Sequence, residues 1–355
     1  MKKKVLHIVE AFGGGVFTFL ISLANSQCEK YDVTIAYALR PQTPEHFERF
    51  LSDKIHLIKV ENFARSISGK QDVKAFLELR KILKEVMPDI LHLHSSKAGF
   101  LGRMAVTDKK CKVFYTPHGF AFLKQDDSAL KRMIYYDVER FAAWKCPNII
   151  GVSKGEMEAA KPLTRHAWYV NNGINVALMP EPKEPVFDLD QLVVGTSGRV
   201  CFQKNPTFFN NVAEAFLYEK FIWIGEGELQ EELTSQNIEI TGWKQGKETL
   251  LELEKLDIFL LTSRWEGMPV SLLEAMYMNK ICVVTDVIGN NDVIRHGENG
   301  FLIHSANDAV LILQEIMNGK WDLVKIANQA HADVLKYYTV EKMCESYMEI
   351  YECAR

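Results

Sequence analysis

The sequence predicts an α/β protein of two Rossmann-like domains, each a doubly wound parallel sheet, facing each other across a cleft. Three observations lead there. The chain has 355 residues, too many for one comfortable hydrophobic core. Short apolar runs alternate with segments of helical spacing, the pattern of a parallel sheet with crossover helices. That alternation stops once, near residues 171–191, and then restarts.

The elements follow in order. Lys4-Val-Leu-His-Ile-Val9 reads as a buried strand, broken by Gly13-Gly14-Gly15, and Phe17 to Ser26 as a helix. Tyr31 to Ala38 is a second strand. Val73 to Val86 carries apolar residues at helical spacing and stops before Pro88, as helices do. Ile90 to His94, Lys112 to Thr116 and Asn148 to Val152 are strands, and a helix opens at Ser153. Residues 171–191 hold Pro180, Pro182 and Pro185 among acidic residues, the composition of a connection. Beyond it come strands at 192–196, 221–224, 258–262, 281–285 and 300–303, and a helix from Pro206 to Phe216. Val340 to Cys353 is an amphipathic helix with no assigned side to pack on. The expected domains are therefore 1–170, a linker 171–191, 192–339, and a terminal helix 340–355. Ligands of open α/β sheets bind beyond the carboxyl ends of the strands.

Composition narrows the function classes. The chain is 47% apolar and 25% charged, an ordinary globular balance. No uncharged apolar run reaches the ~18 residues of a membrane span, and no signal-peptide layout is present, so the protein is expected to stay in the cytoplasm. Seven cysteines without CxxC spacing suggest neither a disulfide framework nor a structural zinc site. Residues 1–170 hold 27 Lys and Arg against 18 Asp and Glu, a formal +9, and residues 171–355 hold 15 against 28, a formal −13. A basic half beside an acidic half suggests different partners for each, the basic one facing an anionic surface or lipid phosphate. Solvated surface charge is the plainer reading.

The richest stretch runs from Asp257 to Met276. A strand leaves the core, a loop carries Glu266, and a helix opens near Pro269, a favoured first-turn residue. The helix start at Gly267, Met268, Pro269 and Val270 offers free N–H groups, the proline excepted, that form an anion site, and Glu274 lies about a turn and a half in. Two carboxylates beside an anion site suit a ligand with both hydroxyls and phosphates. The second stretch, Gly198-Arg199-Val-Cys-Phe-Gln-Lys204, places two cations on a loop after a strand, able to clamp a diphosphate. For both, isolated surface charges are the alternative.

Weaker signals complete the set. Gly13, Gly14 and Gly15 would let a backbone approach phosphate or sugar, but Thr18 breaks the GxGxxG pattern, which weakens a dinucleotide site. His118 follows Thr116-Pro117 at the end of a strand, placed to donate to a substrate oxygen or move a proton. His92 and His94 share one strand face and lack a third ligand of convincing spacing. Asp188-Leu-Asp190 is a DxD in the acidic connection, read as coincidental.

Together these residues resemble the family 4 glycosyltransferases of the GT-B fold, over nearly the whole chain. Glu266 and Glu274 match the family's E-x7-E. Gly198, Arg199 and Lys204 match its G-R-x4-K. Asn172-Gly173-Ile174-Asn175 resembles its N-G-I-[DN] turn, with Asn175 where aspartate is more usual. Gly289 to Ile294 and Gly297 to Leu302 resemble its later glycine runs, with Asp292 where glutamate is commoner. His94 to Arg103, followed by Thr-Pro-His-Gly, looks like the branch that assembles bacterial capsule, O-antigen and exopolysaccharide.

The resemblance implies a retaining transferase of hexosyl or N-acetylhexosaminyl groups, with a nucleotide-diphosphate sugar as donor and neither a metal nor another cofactor. Arg199, Lys204 and the helix start would stabilise the departing diphosphate. Glu274 would hold ribose hydroxyls, Glu266 sugar hydroxyls, and His118 the donor sugar or reacting centre. The glycine loop would approach the diphosphate from the other domain, Thr241, Gly242 and Trp243 would line a base pocket, and domain closure would exclude water. The acceptor would be a saccharide or a polyprenyl-diphosphate-linked saccharide at the inner membrane face, with no nucleic-acid partner. Exposed Phe12, Phe17, Phe100 or Leu101 beside Lys97, Arg103, Lys109 and Lys110 would provide a peripheral membrane contact. A sugar-nucleotide epimerase of the same fold, a catalytically inactive transferase-like partner protein and an NAD-dependent dehydrogenase are the competing readings.

Overall fold

Each half of the chain builds one parallel sheet. The computed structural model describes residues 2–63, 68–244 and 246–354. It divides into two units, one of Met1–Gly173 with Val340–Arg355 and one of Ile174–Thr339.

The first unit runs β1 (Lys4–Phe12), α1 (Gly14–Gln27), β2 (Asp32–Leu39), β3 (His56–Lys59), α2 (Gly69–Val86), β4 (Ile90–His94), α3 (Ser96–Ala105), β5 (Lys112–Thr116), α4 (Ala129–Lys145), β6 (Asn148–Gly151), α5 (Lys154–Ala160) and β7 (Ala167–Tyr169). Its sheet is parallel throughout, in the order β3-β2-β1-β4-β5-β6-β7. Strand order reverses between β1 and β4, the switch point where open α/β sheets bind ligands.

The second unit runs β8 (Val193–Ser197), α6 (Pro206–Glu214), β9 (Lys220–Ile224), β10 (Ile238–Ile240), α7 (Lys247–Glu254), β11 (Ile258–Leu261), α8 (Val270–Tyr277), β12 (Ile281–Thr285), β13 (Phe301–Ile303), α9 (Ala306–Met317) and α10 (Leu323–Tyr337). Its parallel order is β10-β9-β8-β11-β12-β13, with the switch point between β8 and β11. The terminal helix α11 (Val340–Cys353) belongs to the first unit.

Strand alternation sorts the first core into two layers. Val5 and Val9 face α1 and α11, with Phe19, Leu23, Tyr347 and Tyr351. Leu6 and Ile8 face the opposite layer of Leu79, Leu101 and Ala143. Helix α2 ends where Met87 takes a left-handed conformation (φ 48°) just before Pro88, which cannot continue a helix. Pro206 opens α6 at its first position. The division between units falls inside the Asn172–Asn175 turn, and Ile174 N donates to Tyr338 O at 2.9 Å where the chain crosses back. Most of 171–191 lies in the second unit, where Phe187 and Leu189 pack on the core. Strands β3, β7 and β10 are three or four residues long and lie at or near sheet edges, too short to show a period in sequence.

The residues read as a membrane-facing patch do not form one. Phe12, Phe17 and Leu101 are buried, and Phe100 packs against the core. Arg103 is fully buried in an ion pair with Glu139, and Lys97 is held by Asp72 at 2.8 Å. The basic-aromatic composition was local in sequence, but strand and helix periodicity turned its apolar members inward. Among the described residues no helix is long and apolar enough to cross a membrane.

Candidate active site

In the second unit, the two sequence motifs occupy the two loops beside the switch point. The loop after β8 carries Arg199 and Lys204, and the loop after β11 carries Glu266. Because β8 and β11 are neighbours, 62 residues of separation close to a contact: Lys204 Nζ lies 2.7 Å from Glu266 Oε1. Their side chains are 15% and 8% exposed, so water screens this pair weakly. Ser263 Oγ donates to Glu266 Oε1 at 2.7 Å, and Gln203 Nε2 approaches Glu266 Oε2 at 3.4 Å. Gln203 Nε2 also donates to Trp265 O, Arg264 N to Gln203 O, and Thr262 Oγ1 to Lys204 O. Gly198 (φ 145°) permits the lysine to lie along the backbone, since a Cβ there would sit 3.0 Å from Lys204 Cε.

Arg199 is placed differently. It reaches Glu228 at 3.3 Å in a solvent-open pair, a weak tie that an incoming anion can displace. Arg264, unremarked in sequence, donates to Asn205 Oδ1 at 2.7 Å and lies 4.4 Å from the Phe202 ring centroid.

Helix α8 starts after Pro269 with no side-chain cap and no acid in its first turn, leaving its amides to an anion. Gly267 and Met268 lead into it. Gly289 (φ 88°) packs on them so tightly that a Cβ there would sit 2.3 Å from Gly267 O. Glu274, on α8, keeps some open surface, yet the surrounding protein desolvates its carboxyl and raises its pKa to about 7. Among the described residues its carboxylate has no hydrogen bond or ion pair. Thr241, Gly242 and Trp243 follow edge strand β10. Thr241 N donates to Trp223 O, Gly242 has φ 72°, and the Trp243 side chain is partly exposed.

In the first unit, Gly13 caps α1 and Gly14 (φ 55°) and Gly15 form its first turn, so these glycines begin the helix rather than precede it. A Cβ on Gly14 or Gly15 would meet nothing within 4 Å, which leaves the turn approachable. Helix α3 has a different start: Ala98 N donates to the buried carboxylate of Glu10 at 3.2 Å.

His118 terminates a chain of buried side chains. Gln27 Oε1 lies 2.7 Å from His7 Nε2, His7 Nδ1 3.0 Å from His94 Nε2, and His94 Nδ1 3.1 Å from His118 Nε2. With the Gln27 carbonyl as acceptor, His7 carries its proton on Nε2. Each bond then fixes the next ring, and the lone pair of His118 falls on Nδ1, which has no partner among the described residues. Burial lowers the pKa of His7 to about 4, with Gln27 opposing, and that of His118 to about 3. His92 and His94 lie well below the usual histidine value, mainly through burial and then through neighbouring histidines. All four rings are neutral at pH 7. The backbone of His118 is left-handed (φ 52°), and Glu156 accepts from Gly119 N beside it.

His7, His92 and His94 bring ligand atoms within 4.8 Å of one another. His92 is bonded to Tyr351 Oη and Thr116 Oγ1, so a cation there would have to break the network. Asp188 Oδ1 accepts from Asp190 N in a local turn.

Known proteins match the chain in sequence and in architecture. Residues 191–318 match the family model of glycosyl transferases group 1, and residues 13–178 that of Glycosyltransferase Family 4. The chain is 31% identical, over 283 residues and 72% of each sequence, to UDP-Gal:alpha-D-GlcNAc-diphosphoundecaprenol alpha-1,3-galactosyltransferase of Escherichia coli. The chain is a family 4 glycosyltransferase. It is also 26% identical to the putative glycosyltransferase EpsD of Bacillus subtilis, over 80% of this chain and 82% of that one. The crystal structure of Anabaena HepE in complex with UDP and glucose superposes with a TM-score of 0.79 at 16% identity, covering 99% of both chains, which supports the GT-B fold.

For this glycosyltransferase, the sequence singled out Lys204, Glu266 and His118 as candidates but did not show the side chains that hold them. Ser263 lay three residues before Glu266 in the same motif and was readable. His7 and Gln27 were not, because they lie on β1 and α1, far in sequence from His118.

Proposed function

We propose that this glycosyltransferase moves a hexosyl or N-acetylhexosaminyl group from a nucleotide-diphosphate sugar to a saccharide or polyprenyl-diphosphate-linked saccharide, with retention at the anomeric carbon and without a metal ion. The acceptor class is motivated by the Escherichia coli relative, whose name specifies a diphosphoundecaprenol acceptor. The reading places the enzyme at the cytoplasmic face of a membrane, in surface polysaccharide assembly.

The observation that carries it is the Lys204–Glu266 pair across the two switch-point loops, beside the uncapped start of α8. A departing diphosphate needs positive charge, and Arg199, Lys204 and the α8 amides supply it. Lys204 is neutralised by Glu266 before the donor arrives. In this reading the diphosphate takes over the lysine, and Glu266 turns to the sugar hydroxyls. Glu274, lacking a partner, accepts from the ribose hydroxyls. His118 contacts the sugar through its free Nδ1. The bond from the anomeric carbon to the phosphate oxygen breaks, the acceptor oxygen bonds to the same face, and its proton passes to the leaving phosphate.

The test is transfer from a panel of UDP-sugars, chosen first from the relative's name, to a prenyl-diphosphate saccharide in the presence of EDTA. Product with the donor's anomeric configuration is expected. An inverted product overturns retention, and abolition by EDTA overturns metal independence. Conversion of the donor without acceptor favours the epimerase.

A further inference from the structure

Helix α4 presents an apolar face to solvent. Leu130, Met133, Ile134, Val138, Phe141 and Trp144 are all exposed, Leu130 by 63% and Trp144 by 81%. At 3.6 residues per turn they form one stripe about 140° wide along the helix. Lys131, ion-paired with Asp127, and Arg140 flank it, one on each margin, and Lys145 lies at its carboxyl end. Phe141 and Trp144 stack with ring centroids 6.3 Å apart. Asp137 is the one acid on this outward face. A contiguous exposed patch of this kind marks an interaction site rather than ordinary surface.

The opposite face of α4 is fixed. Glu139 is buried, paired with Arg103 at 2.5 Å and accepting from Tyr115 Oη at 2.9 Å. Ala142 and Ala143 are buried, and Tyr136 packs against Phe122. Rolling the apolar stripe inward would expose that ion pair, so the stripe belongs outside.

We propose that the outer face of α4 docks on an anionic phospholipid bilayer. Charge complementarity decides for lipid. The unit that carries α4 holds 29 Lys and Arg against 22 Asp and Glu, a formal +7, while the other unit is a formal −11. An apolar face with Trp and Phe between cationic margins lies in the headgroup boundary of anionic membranes. The inference rests on the lipid-linked acceptor proposed above, which it would supply. The loop that carries His118 leads directly into α4.

The test is flotation of the full chain with vesicles containing phosphatidylglycerol or of phosphatidylcholine alone. The wild type is expected to float with the anionic vesicles and less so in high salt. The double variant Phe141→Glu/Trp144→Glu is expected to lose about tenfold or more of the bound fraction, with an unchanged melting temperature. Its turnover on a water-soluble acceptor should also be unchanged, because α4 touches none of the proposed site. Failure of the wild type to bind, or equal binding by the variant, overturns the proposal. A concentration-dependent dimer by light scattering that the variant abolishes also overturns it, in favour of a second copy as occupant. Binding to vesicles without transfer to any acceptor would leave the docking face standing and remove the functional reading instead.

Discussion

The polar clusters of the two units are built on opposite principles. In the second unit, charge meets charge on loops: Lys204 and Glu266 neutralise each other at the switch point, with Arg199 and Glu228 in water nearby. In the first, neutral groups run from the core to a half-buried end: Gln27, His7, His94 and His118 exchange hydrogen bonds with no ion among them. In the proposed function the charged cluster exchanges partners when an anion arrives. The neutral chain holds one nitrogen of one ring in one state. The comparison teaches that a charged pair needs only two loops at one switch point, whereas the ring chain needs several layers of the fold.

Substitutions can break that contrast. The largest effect is expected from Glu266→Ala, a loss of roughly 100-fold or more in kcat, by analogy with removal of a preorganised stabilising group. Steady-state kinetics would check it, and wild-type turnover would return the charged cluster to a structural role. Next comes Lys204→Ala, which strands Glu266 in a poorly solvated place. It should weaken nucleoside diphosphate binding and cost about 2–3 kcal/mol of stability. In calorimetry, a Lys204→Ala/Glu266→Ala double variant should be less destabilised than the sum of its parts.

The histidine chain and Glu274 should also respond oppositely to pH. The histidines have folded pKa values below their unfolded value of about 6.5. The unfolded chain therefore takes up protons first as pH falls, and stability is lost below about 6.5, toward about 4 for His7 and about 3 for His118. Glu274 has a raised folded pKa, near 7 against the usual 4.5. Its share of stability is lost as pH rises from about 4.5 to 7, by up to roughly 3 kcal/mol. Glu274→Gln should thus raise the melting temperature at pH 8 while weakening nucleotide binding. A variant no more stable at pH 8 than the wild type would deny the desolvated carboxylate.

The smallest effect is expected at Gln27→Leu, which removes the acceptor that orders the ring chain. Nitrogen-15 spectra should show Nδ1 of His118 unprotonated in the wild type and both tautomers in the variant. A few-fold fall in kcat should accompany this at unchanged donor KM. An Nδ1-protonated His118 in the wild type would reverse the direction of the chain.

The sequence by itself determined the two parallel sheets and the family, because strand periodicity and the E-x7-E and G-R-x4-K spacings are local properties of the chain. It also placed Lys204 and Glu266 on loops at strand ends. It could not show that they neutralise each other, since that depends on β8 and β11 being neighbours. The histidine chain was illegible for the same reason: its members come from β1, α1, β4 and the loop after β5. Helix α4 is a subtler case. Its apolar residues lie along the chain in plain view, but which face points outward was decided by the buried Arg103–Glu139 pair. Aromatic residues such as Phe12 and Phe17, equally apolar, went to the core. Burial is a property of the packed layers, and only the tertiary structure chose which apolar residues water still touches.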